Sequence, residues 1–195
     1  MKKHVLFATL FLWLFSTLAS AQEAKPTNEF AFVGTQKCKK CHLKQYKSWK
    51  KTKMASTFDV LKPGVRAEAK KKAGLDPDKD YTTDKECLPC HTTGYGKPGG
   101  FISIEKTPDR AGVGCEMCHG AGGEYTKKQF MSLKNKRYKR ADLVKVGLVH
   151  PVNEKTCIQC HNDKSPFYDE SKPFNFKELK NKGTHKHFPL KYKHD

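Results

Sequence analysis

Eight cysteines fall in four pairs of one form: CKKCH at 38–42, CLPCH at 87–91, CEMCH at 115–119 and CIQCH at 157–161. Such pairs can close disulfides in an exported chain, or make two zinc sites of four thiolates each. They can also bond the two vinyl groups of a porphyrin while the next histidine binds its iron. The residue after the second cysteine discriminates. Histidine is 9 of 195 residues, so four successive matches would arise by chance roughly five times in a million, and neither alternative needs them. Two intervening residues set both sulfurs along one porphyrin edge and bring the following histidine under the iron. Cys38, Cys41, Cys87, Cys90, Cys115, Cys118, Cys157 and Cys160 are therefore expected to hold four covalently bound haems, with His42, His91, His119 and His161 as proximal iron ligands.

The first residues, MKKHVLFATLFLWLFSTLASAQ, combine a basic start, an apolar run and an Ala19-Ser20-Ala21 cleavage site. Residues 1–21 are expected to be a secretory signal, and 22–195 a single domain of 195 − 21 = 174 residues. No later stretch is apolar enough to span a membrane, so the expected location is the periplasm. Only 36% of residues are hydrophobic, and 38 Lys and Arg oppose 20 acids. A chain this polar lacks material for an ordinary core. Four porphyrins, one for about 43 residues, would supply it. Loss of Lys2 and Lys3 leaves 18 − 2 = +16. After export, that charge points to acidic redox proteins or anionic membrane surfaces rather than nucleic acid.

The elements that must position these groups are short. Leu43 to Thr57 carries helical spacing at Tyr46, Trp49 and Lys53, and 63–73 is a second helix stopped by Gly74. Asp84 caps the second motif, and Asn153 caps the turn into the fourth. Residues 124–146 form a basic helical stretch, and FKELKNKG a last short helix. The Gly-rich run 94–114 is expected to form a loop with one small β-hairpin around FISIE. The fold class is mainly α, with short helices and long loops around four haems.

Second axial ligands are scarce. Beyond the motifs and His4, the chain offers His150, His185, His187 and His194, with Met54, Met117 and Met131 after signal removal. If 42–54 is one helix, His42 and Met54 lie about 18 Å apart. Met54 then either packs the core or serves another motif's haem, while Met117, inside a motif, packs at a porphyrin edge.

The stretches at 61–91 (LKPGVRAEAKKKAGLDPDKDYTTDKECLPCH), KPGGFISIE (97–105), GVGCEMCHG (112–120), KSWKKT (47–52) and THKHFPL (184–190) resemble the tetrahaem cytochrome c-554 family of nitrifying bacteria. The resemblance implies a helical periplasmic electron carrier, not an enzyme, whose four haems stack in pairs. Its expected partners are hydroxylamine oxidoreductase and a membrane-bound cytochrome. It also implies three bis-histidine haems and a five-coordinate second-motif haem, where a small gas such as nitric oxide could bind. That vacancy leaves a nitrogen-oxide reductase as the alternative, and the scarcity of donors leaves a subunit of a larger multihaem assembly. His185 matches the distal ligand of the third-motif haem, and His187 a neighbouring non-ligand. Two positions depart. The family's W-x-x-x-x-H is Trp49 to Met54 here, at the distal ligand of the fourth-motif haem. The distal histidine of the first-motif haem is Gln129, with Met131 nearest and His150 as an alternative donor.

Overall fold

The computed structural model describes residues 29–135 and 137–190; the expected signal at 1–21 lies outside them. Among the described residues eight short α-helices follow one another: α1 Thr35–Lys39, α2 Leu43–Trp49, α3 Ala67–Lys72, α4 Leu88–His91, α5 Cys115–His119, α6 Arg140–Lys145, α7 Glu154–Cys157 and α8 Phe176–Leu179. Single 3-10 turns lie at Lys53–Ser56, Asp59–Leu61 and Pro108–Arg110. Helices of four to seven residues are far below the length that is stable alone in water. Tertiary contacts must hold them.

Every expected helix is shorter than its pattern, for local reasons. The 43–57 helix stops at Trp49 because Thr52 turns back on it. The Thr52 hydroxyl and N–H both donate to the Trp49 carbonyl, at 2.7 and 2.8 Å, a side-chain interception of the helical ladder. The 63–73 helix starts only at Ala67, since Gly64 and Arg66 are left-handed at φ 72° and 58°. Gly74 ends it as expected, at φ 73°. Of the basic 124–146 stretch only Arg140–Lys145 is helical. Its like charges repel at helical spacing, and Asn135 Nδ2 ties off the Gln129 carbonyl at 2.6 Å.

The expected β-hairpin is corrected. Among the described residues there is no strand, only an isolated antiparallel bridge between Thr92 and Ala111. The FISIE run folds on itself instead of pairing: Ile102 N–H donates to Thr107 Oγ1 at 2.8 Å, and Thr107 N–H to the Ser103 carbonyl at 2.9 Å. A threonine hydroxyl thus takes the place of a partner strand.

The hydrophobic cluster is small. Phe58, Leu61, Tyr81, Leu88 and Phe101 form it, with Leu75, Tyr95 and Ala111 at its edge. It packs beside α4 and so beside the second motif. Trp49 is buried separately, its indole N–H on the Val113 carbonyl at 2.9 Å, which ties α2 to the approach of α5.

Gly34 opens α1 at φ 82°, and a Cβ there would strike the Asp109 carboxylate. At φ 82° and ψ 159°, backbone almost reserved for glycine, an alanine costs about 1–3 kcal/mol before that collision. Gly34→Ala is expected to lower the melting temperature by several degrees, at about 2–4 °C per kcal/mol for a chain of this size. Differential scanning calorimetry of the haem-loaded protein checks it, and an unchanged melting temperature would contradict the geometry.

Candidate functional site

The four motifs lie close enough for their thiols to act on one another. Interaction between the thiols of Cys38 and Cys115, then burial, pushes Cys38 up, and the same interaction holds Cys115 down against its burial. Burial, then the charge of Cys157, pushes Cys118 up to about 11. Burial and contact with Cys90 push Cys160 up to about 12. The first motif thus lies against the third, the third near the fourth and the fourth against the second. The helices carrying them agree, since α1 packs on α5 and α5 on α7. No disulfide joins any of the eight cysteines. Among the described residues no group of three or more His, Cys, Asp or Glu side chains is arranged to hold a bare metal ion.

Hydrogen bonds orient some of the histidines, and burial acts on others. His91 Nδ1 lies 2.7 Å from the Thr57 carbonyl; as donor it fixes the tautomer that leaves Nε2 free to ligate. His185 Nδ1 lies 2.9 Å from the Lys186 carbonyl, with the same consequence. Burial, then neighbouring histidines led by His185, lowers His119 to about 4. His42 is lowered by burial and by His185, and His161 by burial. Metal binding needs the deprotonated imidazole, and at neutral pH these three supply it.

His119 and His185 face each other with ring centroids 6.2 Å apart and planes tilted by 41°. Two ring nitrogens about 2 Å either side of one metal, with each centroid roughly 1 Å behind its nitrogen, would stand about 6 Å apart. The pair thus has the spacing that one shared iron requires. His187 sits 4.7 Å beyond His185, on the chain rather than across a gap. At the fourth motif the ring of Phe174 stacks on His161 at 4.4 Å and 22°, and both line a cavity of about 340 Å³ with Ile158 and Tyr168.

The remaining candidates are less closely placed. Met54 is half-buried in the 3-10 turn Lys53–Ser56, where its carbonyl accepts from Val113 N–H at 2.9 Å. That turn leads directly to Thr57, the partner of His91. The break after Trp49 removes the straight helix on which the 18 Å separation from His42 was reckoned. Met131 is half-buried in a bend, its N–H on the Lys127 carbonyl at 2.9 Å. His150 is exposed yet close enough to contribute to the lowering of His119. Met117 accepts the Gly94 N–H on its sulfur at 3.3 Å, so it braces the second motif against the third.

Sequence reasoning missed Glu116, the acid inside CEMCH. It is 2% exposed and accepts three backbone N–H bonds: Val33 at 2.9 Å, Gly34 at 2.7 Å and Gly122 at 2.7 Å. The carboxylate pins the entry of α1 to α5 and so fixes the first motif against the third. A signal existed: the other motifs carry Lys, Leu and Ile at the same position, and an acid in so basic a chain is conspicuous. Thr57 and Phe174 were missed too, since a backbone acceptor and a lone aromatic leave no pattern.

Haem fits this arrangement. The donors are paired thiols and neutral imidazoles, one imidazole pair has the spacing of a shared iron, and the protein's own buried apolar set is small. Large apolar side chains such as Phe167, at 60% exposure, lie near the surface.

A family model described as cytochrome c554 and c-prime matches residues 37–120. Cytochrome c-554 of Nitrosomonas europaea is 38% identical over 196 residues, covering 89% of this chain and 82% of the relative. The solved structure of the reduced state of cytochrome c554 from the same organism is 37% identical. It superposes with a TM-score of 0.73 over 84% of this chain and 88% of the other.

Proposed function

This chain belongs to the cytochrome c554 family, and from that membership we propose a periplasmic carrier with four covalent haems that moves electrons between redox proteins. Haem iron supplies reversible one-electron transfer without bond chemistry in the substrate. The observation that best supports the reading is the adjacency of the motifs: α5 packs on both α1 and α7, and its Met117 takes the Gly94 N–H just past the second motif. A carrier needs such adjacency, and it needs no general acid or base.

The chain's residues take the following roles in this reading. Each cysteine pair anchors one porphyrin, and His42, His91, His119 and His161 hold the four irons from one side. His185 completes the His119 site. Met54 serves the His161 site, Met131 or His150 the His42 site, and the His91 site stays open on its far side, able to take a small gaseous ligand. Thr57 keeps His91 in its ligating tautomer. Hydroxylamine oxidoreductase and a membrane-bound cytochrome are the partners that the resemblance names, and nitrification the setting. Among the described residues no helix is long and apolar enough to cross a membrane.

The intact mass of the exported protein, with its pyridine haemochrome spectrum, is expected to give four haems per chain. Replacing both cysteines of any one motif with serine should remove one haem. Spectroelectrochemical titration should resolve reversible one-electron steps, and low-temperature EPR of the ferric protein one high-spin haem. Fewer than four haems, or irreversible reduction, would sink the proposal.

A further inference from the structure

Eight lysines lie between Glu29 and Asp59: Lys37, Lys39, Lys40, Lys44, Lys47, Lys50, Lys51 and Lys53, with no acidic residue among them. All eight are exposed. The described salt bridges all lie elsewhere on the molecule, at Lys62, Lys71, Lys79, Lys97, Arg110, Lys127 and Lys145. Lys44 and Lys47 repel each other at i, i+3 on α2, a destabilising arrangement that no ion pair among the described residues relieves.

The face is ordered as well as charged. Gln36 Nε2 donates to the Tyr46 hydroxyl at 3.2 Å, which fastens α1 to α2. The Lys39 ammonium stands 5.3 Å over the Tyr46 ring and that of Lys50 5.9 Å over Trp49, contacts that hold long side chains in place. The carboxy-terminal segment lies along α2, with Lys186 N–H on Ser48 Oγ at 2.9 Å and Gln45 Nε2 on the Phe188 carbonyl at 3.3 Å. It adds the exposed Lys186 to the same region.

A separate observation marks this face out. The exposed Lys39 and Lys40 lie inside the first motif itself, between Cys38 and Cys41. The adjacent Leu43 is 46% exposed. The first motif therefore comes to the surface inside the lysine field, with a small apolar spot beside it. Docking sites commonly pair an apolar centre with a charged rim, and rim charges govern the rate and salt dependence of encounter.

We propose that the face built by α1 and α2 around Cys41 is the docking surface for an acidic protein. That the partner is a redox protein rests on the carrier reading; the binding itself does not. A membrane surface suits the face less well, because Leu43 alone offers little apolar area to insert.

The test uses the haem-loaded protein and poly-L-glutamate, a redox-inert acidic probe. Lysine acetylation read by mass spectrometry should be slowed at least about five-fold at Lys40, Lys44 and Lys47 relative to Lys72, Lys85 and Lys106. Titration calorimetry at about 10 mM ionic strength should give roughly ten-fold weaker binding for the triple variant K40Q/K44Q/K47Q, an effect that shrinks by 0.15 M salt. The control K72Q/K85Q/K106Q removes the same charge and should change affinity less than about two-fold. Unchanged haem spectra certify that both variants are folded. Equal losses in the two variants would mean that net charge alone acts, and would overturn the proposal. So would protection of the patch by phosphatidylglycerol vesicles but not by poly-L-glutamate. Failure of the carrier reading would show instead in haem count and potentials, which this experiment does not touch.

Discussion

Replacing Met54 with histidine is expected to lower the reduction potential of one haem by on the order of 0.1–0.2 V, within the roughly 0.8 V that axial ligands span. A thioether favours ferrous iron more than imidazole does, so His/Met haems lie above bis-His haems. The fourth-motif haem carries this prediction. Met54 sits in a turn that runs into Thr57 and thus against the second motif, and the second motif touches the fourth through Cys90 and Cys160. Spectroelectrochemistry should show one couple displaced and the other three within about 20–30 mV of wild type, since those haems keep their axial sets. Met54→Leu separates the two roles that the residue could have. A packing methionine tolerates leucine at less than about 1.5 kcal/mol and leaves every spin state unchanged. A ligating methionine leaves a five-coordinate iron and a new high-spin EPR signal. If Met54→Leu adds no such signal and Met54→His moves no potential, Met54 is packing and the His161 site takes another ligand.

Glu116→Ala is expected to cost about 4 kcal/mol or more, a large part of the roughly 5–15 kcal/mol that holds a domain folded. Three backbone N–H groups lose a charged acceptor together, and hydrogen bonds to charged groups contribute about 1.5–3 kcal/mol each. The donors belong to Val33, Gly34 and Gly122, so the loss frees α1 from α5. Glu116→Gln keeps one carbonyl oxygen, loses the charge and turns a donor toward a donor; about 2 kcal/mol is expected. The readouts are chemical denaturation of the haem-loaded protein and the mass-resolved fraction of chains with all four haems. The order wild type, Gln, Ala should hold in both. A fully stable, fully loaded Glu116→Ala would show that covalent haem, and not this carboxylate, joins the first motif to the third.

The difference between these two residues says what can be seen in a chain of this kind. Four CxxCH motifs were legible because covalent chemistry demands fixed residues at fixed spacing. Asn153 was legible as a cap because its side chain must reach an N–H two residues on, as it does to Lys155 at 3.0 Å. The end of α2 was not. Thr52 looks like any helix-tolerant residue until its hydroxyl is seen on the Trp49 carbonyl. The hairpin failed for the same reason, since Thr107 competes locally for groups that a second strand would have bound. Helical periodicity reports an apolar face, and in a protein whose core is small that face is set less by neighbouring helices than by side-chain hydrogen bonds. His185 and its pairing with His119 became visible through the resemblance, and the fold adds the 6.2 Å separation of the two rings.

The spatial order of the motifs bears on how such a chain matures. The first and second motifs are neighbours in synthesis, yet neither is finished by the other alone. Each is completed by a partner made much later: Cys38 by Cys115, and Cys90 by Cys160. These are closures of 115 − 38 = 77 and 160 − 90 = 70 residues, and non-local closures of this kind fold slowly. In a chain exported as proposed, the amino-terminal half therefore leaves the export channel without the surfaces that finish its packing. Its cysteines remain accessible to the ligation machinery until nearly the whole chain has crossed, and the carboxy-terminal motif, last to arrive, is the piece that closes the molecule.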